Sequence, residues 1–342
     1  MKSLLKNSRQ ERERWVDVAK GLGILAVMYV HVGGRIGRNI IAPYYIQMFF
    51  FLSGYVFKKR SVENAIRNAR IIRRYFINYS IIDYLIFIPA SIMQKKDFSF
   101  YFKNAFGILY GAGMLYWPAE VDNQIHLLQV GNGPMWYLAC LTIVWLLIAL
   151  ELRIVKRNFI FILWNIALVI ASIFLKHIPI MMPWGGEKAI GMSIFLNLGM
   201  VVRQIEQSKK TCKFTIPLCS ALSTLYLVLI ANVNVEINIS TRYYGVYDSF
   251  LVVLLIGILG IPLVILVSKL TTIVLKKSIL EFWGQNTVVL LAFHGLIYKY
   301  IDMLSIETGE YYLWVVLKML VALIICTLIC YVANMVKDKK IY

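Results

Sequence analysis

Three residues of types that are rare in membrane helices lie together near the start of the chain. Residues 17–31 read DVAKGLGILAVMYVH, an apolar run that contains Asp17, Lys20 and His31. An α-helix turns ~100° per residue, so Lys20 and His31, eleven positions apart, point within ~20° of each other. Asp17 lies ~40° to the other side of His31. All three share one face, and ionisable side chains inside a span usually face a cavity, a partner or a substrate path.

Two of these residues suggest a chemical role by their type and their spacing. His31 is a candidate general base because imidazole titrates near neutral pH. Lys20 is expected near the cytoplasmic end of the helix and His31 near its outer end, ~16 Å away along the axis. That spacing suggests a long ligand such as acyl-coenzyme A, with its anionic end on cytoplasmic cations and its pantetheine arm directed to His31. Two structural alternatives stay open: an Asp17–Lys20 ion pair, and a hydrogen-bonded imidazole at a helix end.

A second group of candidate residues follows the next apolar run. FFFLSGY, which ends at Tyr55, precedes a basic segment in which Arg70 and Arg73 form an RxxR pair with Arg74 beside them. Guanidinium groups bind phosphates in a bidentate manner. The arginines could equally anchor a cytoplasmic loop. The pair Ser53–Gly54 permits either close helix packing or close approach of a ligand.

The rest of the chain must position these groups inside a membrane. It has 342 residues, of which 60% are hydrophobic and 16% charged, a composition that excludes the soluble globular class. We expect one all-α integral membrane domain over residues 1–342, a helical bundle with about ten transmembrane helices. The predicted spans lie near 15–33, 40–57, 75–93, 134–152, 159–176, 189–202, 214–232, 249–267, 281–303 and 312–335.

The net charge of +18 is a topology signal. With both termini cytoplasmic, most of the 36 Lys and Arg residues fall in inner segments, as the positive-inside rule requires. The charge therefore needs no nucleic acid partner, and the bilayer is the expected surroundings of a multi-pass protein in the cytoplasmic membrane. The five cysteines follow no disulfide or zinc spacing, and we predict no metal site.

Two outer loops are rich in aromatic and polar residues. The longer, 94–133, includes an apolar part near 105–117 and has Glu120 near its end. The other spans 233–248. Together they resemble a vestibule for a sugar, although ordinary interfacial aromatic belts would give the same composition.

The ordered set of motifs resembles the bacterial membrane-bound acyltransferase 3 family. After Asp17-x-x-Lys20, His31, FFFLSGY and RxxR come GPMWYL at 133–138 and FWGQNT at 282–287 with His294 beyond it. The family usually has Arg at the position of Lys20, which puts a bidentate clamp there in doubt. The chain lacks room for the esterase-like domain that many relatives carry, so it resembles stand-alone sugar O-acetyltransferases.

The resemblance implies that cytoplasmic acetyl-CoA donates an acetyl group to a hydroxyl of a surface polysaccharide or lipid-linked sugar outside. His31 would deprotonate the hydroxyl and Asp17 would orient Lys20. The coenzyme would contact Lys20, Arg70, Arg73, Arg74, Ser53, Gly54 and Tyr55. The acceptor would contact Trp136, His294 and Glu120. Direct transfer is expected, because the spacing indicates no activated Ser or Cys nucleophile.

Several alternatives remain at this stage. A transporter or flippase for a lipid-linked sugar would also need many spans and intramembrane charges, but the chain has no visible internal repeat. A sensor or assembly partner without catalysis would leave His31 replaceable. Within the enzyme class, the donor could be succinyl-CoA, and the protein could form homo-oligomers.

Overall fold

The computed structural model describes residues 13–111, 114–117, 125–129, 133–175, 177, 181–207, 215–233, 235, 237, 249–304 and 310–339. Thirteen α-helices occur within them: α1 (Arg14–His31), α2 (Arg38–Ile41), α3 (Tyr45–Tyr55), α4 (Val62–Met93), α5 (Phe98–Tyr110), α6 (Trp136–Ile154), α7 (Asn158–Leu175), α8 (Gly186–Gln207), α9 (Thr215–Asn232), α10 (Phe250–Val274), α11 (Ile279–Gln285), α12 (Thr287–Met303) and α13 (Tyr311–Lys339).

The prediction of a helical membrane bundle is confirmed in its main features. Among the described residues, five helical stretches are long and apolar enough to cross a membrane: Val62–Met93, Gly133–Ile154, Asn158–Leu175, Phe250–Val274 and Tyr311–Met335. The other predicted spans also fall on helices, but these are short, broken or charged. The count of ten and the cytoplasmic position of the termini stay predictions.

The 94–133 segment contains two short β-strands, which the prediction of an all-α fold did not include. It contains α5, where the Asp97 side chain caps the N-terminus by accepting a hydrogen bond from the Phe100 amide at 3.0 Å. Strands β1 (Met114–Trp117) and β2 (Ile125–Gln129) then pair antiparallel. The apolar part near 105–117 thus includes the end of α5 and strand β1.

Two predicted spans are not continuous helices. Residues 40–57 divide between α2 and α3, and residues 281–303 divide at Asn286 between α11 and α12. Irregular backbone at membrane depth is tolerated where it is buried in protein or lines a cavity. The breaks therefore mark places to search for a ligand site.

Glycines allow the helices around these breaks to pack closely. A Cβ at Gly21 would overlap the Leu280 carbonyl, and one at Gly284 would overlap that of Asp17, so α1 and α11 touch through their backbones. Gly54 and Leu196 join α3 to α8 in the same way. Small residues at membrane helix crossings commonly permit this approach. The first of these contacts fixes the helix that carries Lys20 and His31.

Candidate active site

A cavity of about 440 Å³ lies at the meeting of α1, α3, α4, α6 and α12. We call it the central cavity. It is bordered by both breaks: Arg38, Ala42 and Tyr45 line it near the first, and Thr287 and Val288 near the second. Both helix interruptions therefore lie beside the central cavity.

Helix α1 places two of its three polar residues in the central cavity. Lys20 and His31 both line it, as the helical arithmetic predicts. Asp17 does not line it: the residue is 2% exposed, and its Oδ2 accepts a hydrogen bond from Gln285 Nε2 at 3.0 Å. Asp17 thus joins α1 to α11 outside the central cavity.

His31 has a partner that the sequence did not suggest. Its Nδ1 lies 2.8 Å from Nε2 of His294 on α12, and the two ring planes are within 15° of parallel with their centroids 5.1 Å apart. His294 is fully buried, and its Nδ1 lies 2.7 Å from the Leu290 carbonyl oxygen. His294 is not among the residues that line the cavity, so it lies behind His31 as seen from there.

A second cavity, of about 410 Å³, adjoins the first and is lined by Lys58, Lys59 and Arg67. We call it the basic cavity. The two cavities share Lys20, Ser53, Ile72 and Leu141, so they adjoin at these four side chains, and we call the two cavities together the passage. A long ligand with an anionic end would match this shape and charge.

The predicted coenzyme residues divide between the passage and its surroundings. Ser53 lines both cavities, and its Oγ donates to the Phe49 carbonyl at 2.8 Å. Arg70, Arg73 and Arg74 lie on the exposed surface of α4 and line neither cavity. Three cations that we had not singled out, Lys58, Lys59 and Arg67, occupy the lining instead.

Gly54 and Tyr55 lie outside the passage. Gly54 is buried against the backbone of α8. The Tyr55 hydroxyl lies 2.9 Å from Glu13 Oε2 and 2.5 Å from Glu206 Oε2, and Arg203 ion-pairs with Glu13. Burial opposes ionisation of Glu13, but the hydrogen bonds from Arg203 and Tyr55 hold its pKa below the usual 4.5. This network ties α1, α3 and α8 together at the end where α1 begins.

The other end of the central cavity holds Trp136 and Arg38. Trp136 lines it, and behind its ring lies Lys188 Nζ, 5.2 Å from the ring centroid. Arg38 lines the cavity at the same end as His31, and the sequence analysis had not identified it as a candidate. Glu120 lies outside the described residues.

The structure thus brings Lys20, His31, Ser53 and Trp136 together around one cavity. A family model described as an acyltransferase domain matches residues 13–334, nearly the whole chain. No curated protein and no solved structure matches significantly. The family model supports a membrane acyltransferase and includes every element that surrounds the cavity. The chain belongs to the acyltransferase 3 family.

Proposed function

We propose that this membrane acyltransferase moves an acetyl group from cytoplasmic acetyl-CoA to a hydroxyl of an extracytoplasmic surface glycan or lipid-linked sugar, in the cytoplasmic membrane. The observation that carries the proposal is that the basic cavity and the central cavity, which His31 lines, adjoin at Lys20 and Ser53. It supports a ligand that is anionic at one end and reactive at the other, with ~16 Å between Lys20 and His31.

The coenzyme phosphates would lie in the basic cavity. Arg67 offers a planar pair of donors for one phosphate, whereas Lys58 and Lys59 act as point charges. Arg70, Arg73 and Arg74 could reach the coenzyme only from the outer surface of α4, so their contribution should be weaker. Lys20 would hold the arm where the two cavities meet.

The thioester would then lie beside His31. The acceptor hydroxyl would approach from the end of the central cavity that holds Arg38 and Trp136. Trp136 presents an aromatic face suited to a sugar ring, and Lys188 lies close to that ring. Asp17 would act at a distance, by holding α1 on α11 through Gln285. Among the residues that the structure describes at this site, His31 is therefore the imidazole placed to remove the hydroxyl proton.

The test is turnover of radiolabelled acetyl-CoA by the purified protein in nanodiscs, with coenzyme binding measured calorimetrically on the same sample. His31→Ala should bind the coenzyme within about twofold of wild type but lose transfer to acceptor or to water. His177→Ala is the control, because His177 is an exposed histidine outside both cavities. Full turnover by His31→Ala, or no coenzyme binding by wild type, would contradict the proposal.

A further inference from the structure

The His31–His294 pair restricts where its protons can lie. The Leu290 carbonyl only accepts, so the 2.7 Å contact requires that His294 Nδ1 carries a proton. When His294 is neutral, its Nε2 then has a lone pair and accepts the 2.8 Å hydrogen bond from Nδ1–H of His31. His31 in turn is left with an unprotonated Nε2.

This proton order matters because His31 lines the central cavity. Its Nε2 has no hydrogen-bond partner within the part of the chain that the structure describes. An imidazole in water ordinarily prefers the other tautomer, with the proton on Nε2, in which that atom cannot act as a base. A hydrogen-bond acceptor at Nδ1 is therefore what makes Nε2 available.

We propose that His294 is a positioning residue: it fixes His31 in the Nδ1–H tautomer, orients the ring, and shares the positive charge that forms on it. This assignment rests on the proposed acyl transfer and changes the expected role of His294 from acceptor binding to alignment of the base. His294 is fully buried behind His31, where a sugar could not reach it without displacing the base.

The chemical step balances with the groups present. His31 Nε2 takes the proton of the acceptor hydroxyl as its oxygen forms a C–O bond to the acyl carbon. The C–S bond of the thioester breaks, and the thiolate of coenzyme A receives the proton from His31. While His31 is protonated, its Nδ1 proton can move along the 2.8 Å hydrogen bond to Nε2 of His294. The positive charge is then shared between the two rings.

A purely structural role for His294 makes a different prediction from ours. Tyr298, one turn further along α12, donates from its hydroxyl to the Met28 carbonyl of α1 at 3.2 Å. Tyr298→Phe therefore removes a hydrogen bond between the same two helices without touching His31. It is the matched control for His294→Phe, which keeps an aromatic ring but loses the acceptor nitrogen.

The first measurement is the tautomer itself, which needs no activity. The chain contains four histidines, so selective ¹⁵N-histidine labelling gives four imidazoles, and the His31 signals are assigned by their loss in His31→Gln. We expect His31 protonated at Nδ1 in wild type, Tyr298→Phe and His294→Gln, because a Gln oxygen also accepts. His294→Phe should shift the proton to Nε2. A His31 that is Nε2-protonated in wild type would overturn the proposal.

The second measurement is the transfer rate. His294→Phe should lower kcat by about 10–100-fold, the loss typical when a group that orients a metal-bound imidazole is removed, with KM for acetyl-CoA within about twofold. His294→Gln should recover part of the rate, and Tyr298→Phe should retain it. Equal losses in His294→Phe and Tyr298→Phe would refute the role. If the tautomers behave as expected but wild type transfers no acyl group, the proposed function fails and the alignment of His31 stands.

Discussion

Arg67 and Arg73 provide the sharpest test of where the coenzyme binds. They lie six residues apart on α4, so their side chains point ~120° apart. Both are exposed, but only Arg67 lines the basic cavity. Replacing each by Gln removes one charge from the same helix and keeps a polar, unbranched side chain. The two variants differ only in the face that loses its cation.

The expected magnitude follows from the exposure of Arg67. A hydrogen bond to a charged group contributes ~1.5–3 kcal/mol, and solvent screening at an exposed site favours the lower end of that range. A loss of ~1.4 kcal/mol is a tenfold change in Kd. Arg67→Gln should therefore raise the Kd of coenzyme A about tenfold, whereas Arg73→Gln should change it less than about twofold.

Isothermal titration of coenzyme A into each variant, at two salt concentrations, measures the difference. The gap between wild type and Arg67→Gln should narrow at high salt, because the contact is electrostatic. Thermal unfolding of both variants controls for damage to α4. A larger loss of affinity in Arg73→Gln than in Arg67→Gln would refute the assignment of the basic cavity and return the phosphate site to the RxxR pair.

Three further outcomes test the framework around the site. Gly284→Ala should lower the free energy of unfolding by about 1–3 kcal/mol, because the added Cβ would overlap the Asp17 carbonyl. Gly295→Ala is the control and should not lower Tm, because the atom nearest to its added Cβ is 3.7 Å away. Tyr55→Phe should lower Tm while leaving coenzyme Kd unchanged, since Tyr55 lines neither cavity. The pKa of Glu13 is lower in the folded protein than its usual 4.5, so ionised Glu13 stabilises the fold above pH 4.5. This stabilisation is lost as the pH falls through the pKa of Glu13 in the folded protein. The Tm difference between wild type and Glu13→Gln should therefore vanish below that pKa.

The placement of Lys20 and His31 was predictable because it depends on one helix alone. A rotation of ~100° per residue fixes their common face whatever surrounds α1. The cavity on that face then follows from the cost of ionisable groups in lipid. The role of Asp17 was not predictable in the same way, because its partner Gln285 is 268 residues away in the chain.

The arginines of α4 show what the helical pattern of a sequence cannot predict. Ala65 and Ala69 mark the buried face of the helix. Asn68 and Ile72, which line the basic cavity, lie ~60–100° to one side of Ala69, and Arg73 lies ~40° to the other. A hydrophobic stripe identifies the face that packs but does not say on which side of it the neighbouring helices leave a space. That information comes from the packing of α4 along α6.

The second and ninth predicted spans show why hydropathy concealed the site. An apolar window averages over a break, so residues 281–303 read as one helix although the chain interrupts it at Asn286. Hydrogen bonds bridge the break: the Asn286 amide donates to the Trp283 carbonyl, and the Asn286 carbonyl accepts from the Val289 amide. The break lies beside the central cavity, which Thr287 and Val288 line. It also begins α12, the helix that carries His294 to His31, so the same interruption that hydropathy hides positions the partner of the proposed base.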